Sequence, residues 1–243
     1  MIERDGYEFL PGVFTAAELA DAADEWTRIL AVHAGERAVL AGSAGPAYGA
    51  RNLLRLWPAS VALLRKEPLR SRLLALLGPD AGAVRGLYFD KPPGHSWALP
   101  WHKDVCIAVK AHGPPGTFTK PTVKAGVPHV EAPTELLDRM VTVRIHLDPM
   151  TPDNGPLRVV PGSHRGRDGE PVTLLCAAGD VLLMRPLLTH ASGHSRPDTP
   201  LHRRIVHLEC SPSPDLPDGY AFHDYIRLGG HWSPPPTADR ILR

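Results

Sequence analysis

The chain has 243 residues and a formal net charge of +1, from 27 lysines and arginines against 26 acidic residues. That length fits one domain with a sizeable core, and the near-neutral balance gives no general attraction for nucleic acid or an anionic membrane. No run of about 18 apolar residues is present, so the sequence predicts no membrane span. The N-terminus lacks the apolar core of a signal peptide, and the three cysteines show no CxxC spacing. We therefore expect a cytoplasmic protein with reduced thiols.

The first third of the chain has the apolar spacing of packing helices. Thr15 precedes a helical run and Glu18 follows it three residues later, which is the spacing of a capping box. A second helix is predicted from about Ser60 to Leu77. Together these patterns place the N-terminal helices at about residues 15–78.

Short apolar runs separated by turn residues follow, from about residue 83 to residue 210. This pattern predicts several short strands in a β-sandwich or barrel. Within Met140–Leu147, apolar residues occupy one face, and Thr142, Arg144 and His146 share the other. Such a strand fits a sheet that packs on one side and lines a cavity on the other. The proline- and glycine-rich segment 110–133 shows little periodicity, and we predict a lid or substrate-binding loop there.

Several histidines are followed, two residues later, by an acidic residue. Alternate residues of a strand point the same way, so such a pair can reach one metal ion. With 13 histidines in the chain, random placement gives roughly one His-x-Asp pair, so no single pair is diagnostic. Context favours the first pair, because an apolar strand and every other element that a site needs follow it. The pairs are His102/Asp104, His129/Glu131, His146/Asp148 and His207/Glu209.

Four segments, WHKD, NGPLRVVPGSHRG, GDVLLMRPLLTHASGHS and HRRIVHLEC, resemble the phytanoyl-CoA dioxygenase family and occur in its order, from about Tyr88 to Cys210. The resemblance implies a mainly β fold with flanking α-helices and a double-stranded β-helix core, also called a jelly roll or cupin-like fold. The core is expected at about residues 83–210 of a single domain covering residues 1–243. The implied activity is that of an Fe(II)- and 2-oxoglutarate-dependent oxygenase. Such an enzyme hydroxylates an unactivated C–H bond of a small-molecule substrate with O2 and releases succinate and CO2.

The resemblance also identifies site residues. His102, Asp104 and His190 match the iron ligands, and two histidines with one carboxylate leave positions open for a co-substrate and oxygen. Arg203 matches the residue that pairs with the far carboxylate of 2-oxoglutarate, which a planar guanidinium holds with two parallel hydrogen bonds. Arg204, which would point to the other face of the strand, stays open as the alternative. The carboxylate of Asp104 favours hydroxylation over halogenation, while desaturation and ring formation stay open.

Two other classes of function remain open at this point. A metal-dependent cupin-like isomerase or hydrolase would keep the three ligands without needing Arg203, and a non-catalytic jelly-roll domain would only bind. We expect His164 to be a turn residue and Trp101 to pack near the site. The sequence leaves the substrate and the oligomeric state open. Weaker pocket candidates, for which a structural role is equally expected, are Tyr88, Lys91, Lys124, His129, Thr142, Arg144 and His146.

Overall fold

Antiparallel strands dominate the computed structural model, which describes residues 1–42, 47–114 and 116–229. The rest of the predicted domain, including residues 230–243, lies outside these described residues. The strands are β1 (Tyr7–Leu10), β2 (Val39–Ala41), β3 (Ala47–Ala50), β4 (Gly82–Phe89), β5 (Leu99–His102), β6 (Cys106–Ala108), β7 (Thr119–Lys124), β8 (Val127–Glu131), β9 (Val141–His146), β10 (Leu157–Val159), β11 (Val172–Thr173), β12 (Val181–Met184), β13 (His190–Ser192), β14 (Ile205–Ser211) and β15 (Ile226–Arg227). The α-helices are α1 (Ile2–Asp5), α2 (Ala16–Val32), α3 (Leu53–Leu56), α4 (Leu69–Leu77) and α5 (Thr134–Leu137), and 3-10 helices cover Pro58–Arg65, Ser163–Arg165 and Pro217–Gly219.

The strands form three sheets. The largest has the order β1-β12-β9-β14-β4-β3-β2, with β15 also paired to β4. A four-stranded sheet has the order β11-β10-β13-β5, and a three-stranded sheet has the order β6-β8-β7. The two larger sheets build the jelly roll that the resemblance implies, and strands distant in sequence pair within each of them.

The alternation of side chains on β9 and β14 decides which face of the largest sheet is apolar. On β9, Val141, Val143 and Ile145 enter the main hydrophobic core, as do Val206 and Leu208 of β14. The intervening residues of both strands face the interior of the barrel and are largely polar. This separation confirms the two-faced strand predicted at residues 140–147.

The N-terminal helices cover the apolar face of the largest sheet. Trp26 of α2 is buried there against Trp57 and Tyr88, with ring centroids 5.9 Å and 4.8 Å away. The capping box at the start of α2 is confirmed: Thr15 Oγ1 accepts from the Glu18 backbone N–H at 3.3 Å, and the Thr15 N–H donates to Glu18 Oε2 at 2.8 Å.

The single helix predicted from Ser60 to Leu77 was wrong. A 3-10 helix covers Pro58–Arg65, and the α-helix begins only at Leu69. Pro68 lies between them, where a proline lacks the N–H that a continuous helix needs and clashes with the preceding turn.

The predicted irregular loop at residues 110–133 was also wrong in its structure. β7 and β8 form an antiparallel hairpin within it, and β8 also pairs with β6. Phe118 and Val130 belong to a second hydrophobic cluster with Ile107. The segment is therefore anchored by a small sheet rather than lacking secondary structure.

Within the described ranges, no helix combines the length and the apolar character needed to cross a bilayer.

The capping box makes a measurable contribution to stability. We expect Thr15→Ala to lower the free energy of unfolding by about 1 kcal/mol, because a backbone donor at the start of α2 loses its partner. Urea denaturation followed by circular dichroism checks this. Thr27→Ala, on the exposed face of the same helix, is the matched control and should cost less, since alanine favours a helix interior. Equal losses for the two variants would contradict the capping assignment.

Candidate metal centre

Two histidines meet where β13 pairs with β5. His190 and His102 are register partners across this antiparallel pair, and their ring centroids lie 4.2 Å apart. Asp104 lies two residues beyond the end of β5, and its backbone N–H donates to Pro186 O at 2.9 Å. The structure thus brings together the three residues that the sequence singles out.

Backbone carbonyls orient both imidazole rings. His102 Nδ1 lies 2.7 Å from Pro100 O, and His190 Nδ1 lies 2.8 Å from Leu188 O. A carbonyl oxygen only accepts, so each Nδ1 carries the proton and each Nε2 keeps a free lone pair. Histidine ligands of metals are typically fixed in this way by a partner of the other ring nitrogen.

The free ligand atoms converge on one point. His102 Nε2 lies 3.9 Å from Asp104 Oδ1, and His190 Nε2 lies 3.7 Å from Asp104 Oδ2. One ligand atom from each of the three residues falls within 4.8 Å of the others. Asp104 Oδ2 is buried without a hydrogen-bond partner, a state that is costly unless a ligand satisfies it. Burial also lowers the pKa of His190, which favours the neutral ring that a metal requires. These residues therefore fit a metal ion.

The two neighbouring arginines before β14 lie in different surroundings. Arg204 is held by Asp148, with Nε and Nη2 donating at 2.8 Å and 2.7 Å. Arg203 is 1% exposed; its Nη1 donates to Gly155 O at 2.7 Å, and its Nε has no partner. Burial lowers the pKa of Arg203 to about 9, so it is still charged at neutral pH. A buried cation with donor capacity to spare and no carboxylate partner fits an anionic ligand.

A tight turn holds Arg203 in place. Asn154 is buried, and its Nδ2 donates to Pro149 O at 2.8 Å and to His202 O at 3.1 Å. Gly155 has a φ of +66°, and a Cβ there would lie 2.5 Å from Gly193 O. Only glycine fits such a position without strain.

Lys91, two residues beyond the end of β4, contacts the same turn. Its Nζ donates to Gly155 O at 3.3 Å, to Ser192 Oγ at 3.2 Å and, in a shorter contact, to Gly193 O. Burial, reinforced by the nearby guanidinium groups, lowers the pKa of Lys91 to about 6. At neutral pH the lysine is therefore mostly an uncharged donor that ties the turn to β13.

The inner face of the largest sheet adds a second buried guanidinium. Arg144 of β9 is the register partner of His207 on β14, and its Nη1 lies 3.4 Å from His207 Nδ1. An arginine can only donate, so His207 Nδ1 accepts and its proton lies on Nε2. Burial lowers the pKa of His207 to about 3 and keeps it neutral.

The other His-x-acid pairs have structural partners. Asp148 binds Arg204, and Glu209 forms an ion pair with Arg85 at 3.2 Å. His129 is buried on β8, with Nδ1 2.9 Å from Val127 O. In the part of the chain that the structure describes, only His102, Asp104 and His190 form a cluster suited to a metal.

Five of the seven weaker pocket candidates divide into two groups, and Lys124 and His129 lie apart from them on β7 and β8. Lys91, Arg144 and His146 lie inside the barrel, as does Thr142, whose buried hydroxyl has no partner. Tyr88 does not line the site: it packs on Trp26 in the main core.

Sequence reasoning also gave no sign of two features of this region. One is the shared use of Gly155 O by Lys91 and Arg203, and the other is the contact between Arg144 and His207. Both depend on the register of distant strands, which no local pattern specifies. Two remaining expectations concern residues outside the centre: His164 lies on a short 3-10 helix, and Trp101 is 42% exposed with Arg158 5.3 Å from its ring centroid.

Solved structures share this fold. The iron-bound structure of EctD from S. alaskensis is 21% identical with a TM-score of 0.65, and the match covers 86% of this chain and 74% of that one. The nickel complex of ThoJ, described as a non-heme monooxygenase, is 18% identical with a TM-score of 0.64, covering 95% and 82%. SnoN from nogalamycin biosynthesis, described as a non-heme alpha-ketoglutarate-dependent epimerase, is 18% identical with a TM-score of 0.64, covering 97% and 96%. At these identities the likeness establishes the fold.

Comparison with curated protein sequences finds no significant match. The family model for phytanoyl-CoA dioxygenase (PhyH) matches residues 2–205, most of the chain. The chain belongs to the phytanoyl-CoA dioxygenase family.

Proposed function

We propose that this protein is an Fe(II)- and 2-oxoglutarate-dependent oxygenase that hydroxylates an unactivated C–H bond of a small-molecule substrate. The observation that carries the proposal is the convergence of His102, Asp104 and His190 inside a barrel that also holds the unpaired guanidinium of Arg203. Membership of the phytanoyl-CoA dioxygenase family supports it. EctD, which shares the fold, has been solved with iron and also with 2-oxoglutarate and 5-hydroxyectoine.

Each side chain has a defined part in the proposed reaction. His102, Asp104 and His190 would hold Fe(II), and Arg203 would bind the far carboxylate of 2-oxoglutarate. When bound, the iron and the oxo acid supply the oxidative chemistry, with O2 consumed and 2-oxoglutarate converted to succinate and CO2. The ligands leave further coordination positions open because only three protein atoms converge on the site.

The choice of Arg203 over Arg204 rests on partners and burial. Arg204 donates side-chain hydrogen bonds from Nε and Nη2, and both of them go to Asp148. Arg203 has its Nε free and buried, and its single side-chain hydrogen bond goes to a neutral carbonyl. A carboxylate entering the barrel would therefore find its charge partner at Arg203.

The site is buried on one side and partly open on the other. His190 is 3% exposed and Arg203 is 1% exposed, whereas the side chains of His102 and Asp104 keep 31% and 25% of their surface accessible. A dry interior strengthens the electrostatic interactions made there. The partly open side at Asp104 is the side from which we infer that substrate approaches.

The metal assignment is tested on Asp104. We expect Asp104→Asn to weaken Fe(II) binding at least about 100-fold, because loss of even an outer-shell partner typically costs 10- to 100-fold. Anaerobic isothermal titration calorimetry measures the affinity. Asp153→Asn is the matched control, since it removes a surface carboxylate paired with Arg196 and should leave affinity unchanged. Indistinguishable affinities for the two variants would refute the ligand assignment.

The co-substrate assignment is tested by comparing the two arginines. We expect Arg203→Met to weaken 2-oxoglutarate binding to the Fe(II)-loaded protein about 10- to 100-fold, because a charge-assisted pair is lost. Arg204→Met should lower stability by freeing Asp148 but leave this affinity within a few-fold of the original. The reverse pattern would assign the co-substrate to Arg204.

The reaction type needs its own measurement. Oxygen admitted to the complex of protein, Fe(II) and 2-oxoglutarate at stoichiometric concentrations should yield succinate, quantified by mass spectrometry. If the oxo acid binds no more tightly with Fe(II) than without it, and no succinate forms, the metal-dependent isomerase or hydrolase becomes the better account. Succinate is the informative product because a metal-dependent isomerase or hydrolase that does not consume 2-oxoglutarate would not form it.

A further inference from the structure

A second buried arginine faces the barrel interior without an acidic partner. Arg144 is 5% exposed, and its Nε has no hydrogen bond. Its one side-chain contact is to His207 Nδ1, a neutral acceptor, at 3.4 Å. No acidic side chain among the described residues lies within ion-pair distance of it.

Burying such a charged guanidinium costs free energy unless a ligand replaces its lost hydration. Burial lowers the pKa of Arg144 only to about 10, so the group is charged at neutral pH. A charged group held in a dry interior with one weak contact loses much of its solvation without a matching gain. Two acids near the inner faces have other roles: Glu209 pairs with Arg85, and Asp104 belongs to the candidate metal cluster.

The position of Arg144 relates it to the metal centre. It lies on β9, in the middle of the largest sheet between β12 and β14, while His102 and His190 lie on the smaller sheet. The carboxylate of Asp104 raises the pKa of Arg144, and burial lowers it by a larger amount. The guanidinium therefore lies within electrostatic reach of the metal ligands across the barrel.

Arg144 and Arg203 approach the interior from different points. Arg203 lies four residues before His207, the register partner of Arg144, so their backbones are separated by roughly 13 Å of extended chain. The two guanidinium groups nevertheless face the same interior, because burial lowers the pKa of Arg203 and the charge of Arg144 helps to lower it further. A dicarboxylate bound there could offer one carboxylate to each cation.

We propose that Arg144 is a positioning residue that binds the carboxylate next to the oxo group of 2-oxoglutarate. This inference rests on the proposed function, in which Arg203 takes the far carboxylate and the oxo-acid end lies at the metal. The two buried arginines then each receive one end of the dicarboxylate, and His207 holds Arg144 toward the interior.

The experiment compares two oxo acids. 2-Oxopentanoate keeps the oxo-acid end of 2-oxoglutarate but lacks the far carboxylate. Affinities of both acids for the Fe(II)-loaded protein are measured anaerobically by calorimetry, so the readout does not depend on turnover. We expect Arg144→Met to weaken both acids by a similar factor of about 10- to 100-fold. Arg203→Met should weaken 2-oxoglutarate alone.

Matched variants separate binding from folding. Arg144→Lys keeps the charge without the planar fork and should restore part of the affinity for both acids. Arg185→Met removes another buried arginine, one whose side chain pairs with Glu3 of α1, and should not change either affinity. Thermal denaturation of the ligand-free variants shows whether each is folded; if Arg144→Met is unfolded, the Lys variant carries the comparison.

Several outcomes would overturn the inference. Unchanged affinity of folded Arg144→Met for both acids would do so, and would assign the cation to the primary substrate or to the fold. Loss of 2-oxoglutarate binding alone would place Arg144 at the far carboxylate instead. Failure of the unaltered protein to bind either acid would overturn the proposed function itself, a result distinct from the other two.

Discussion

The pairing of β13 with β5 is the constraint on which the site depends. It sets His190 opposite His102, and the chain then needs only two more residues to bring Asp104 to the same point. Because side chains alternate across a strand, a register shift of one residue would turn one imidazole away from the other. The carbonyls of Pro100 and Leu188 add a second level of control by fixing which ring nitrogen faces inward.

Stability and chemistry are divided between the two faces of the largest sheet. On β9 and β14 the outward residues pack under the N-terminal helices, and the inward residues carry Arg144, His207 and Glu209. The apolar face can thus stabilise the fold while the inner face keeps polar groups incompletely paired. Buried groups of that kind lower stability on their own and are common where a ligand completes them.

Local patterns in the sequence predicted the short strands of a β-sandwich or barrel and the two-faced strand β9, and the family resemblance implied the jelly roll. The same patterns gave wrong predictions for two segments that contain prolines, the second helix and residues 110–133. Pro68 splits the second helix, and Pro121 and Pro128 sit on β7 and β8, where proline usually argues against a strand. The hairpin between them turns at Ala125 and Gly126, both with positive φ. Its stability comes from apolar contacts with β6 that periodicity does not reveal.

The sequence could predict the residues of the site but not the hydrogen-bond and ion-pair partners that surround them. His102, Asp104, His190 and Arg203 were identified by resemblance and order, and the structure brings the first three together. The sequence could not predict that Arg144 would have no acidic partner among the described residues, because this depends on which strands flank β9. The same holds for Arg204, whose acceptor Asp148 lies two residues beyond the end of β9.

One backbone oxygen joins parts of the barrel that are far apart in sequence. Gly155 O accepts from both Lys91 and Arg203. Lys91 also donates to Ser192 Oγ and Gly193 O, a few residues after His190. A small rotation of that single peptide plane would loosen the guanidinium and the strand carrying an imidazole at once. The turn is therefore a shared anchor, and a substitution that displaces it should disturb Arg203 and β13 together.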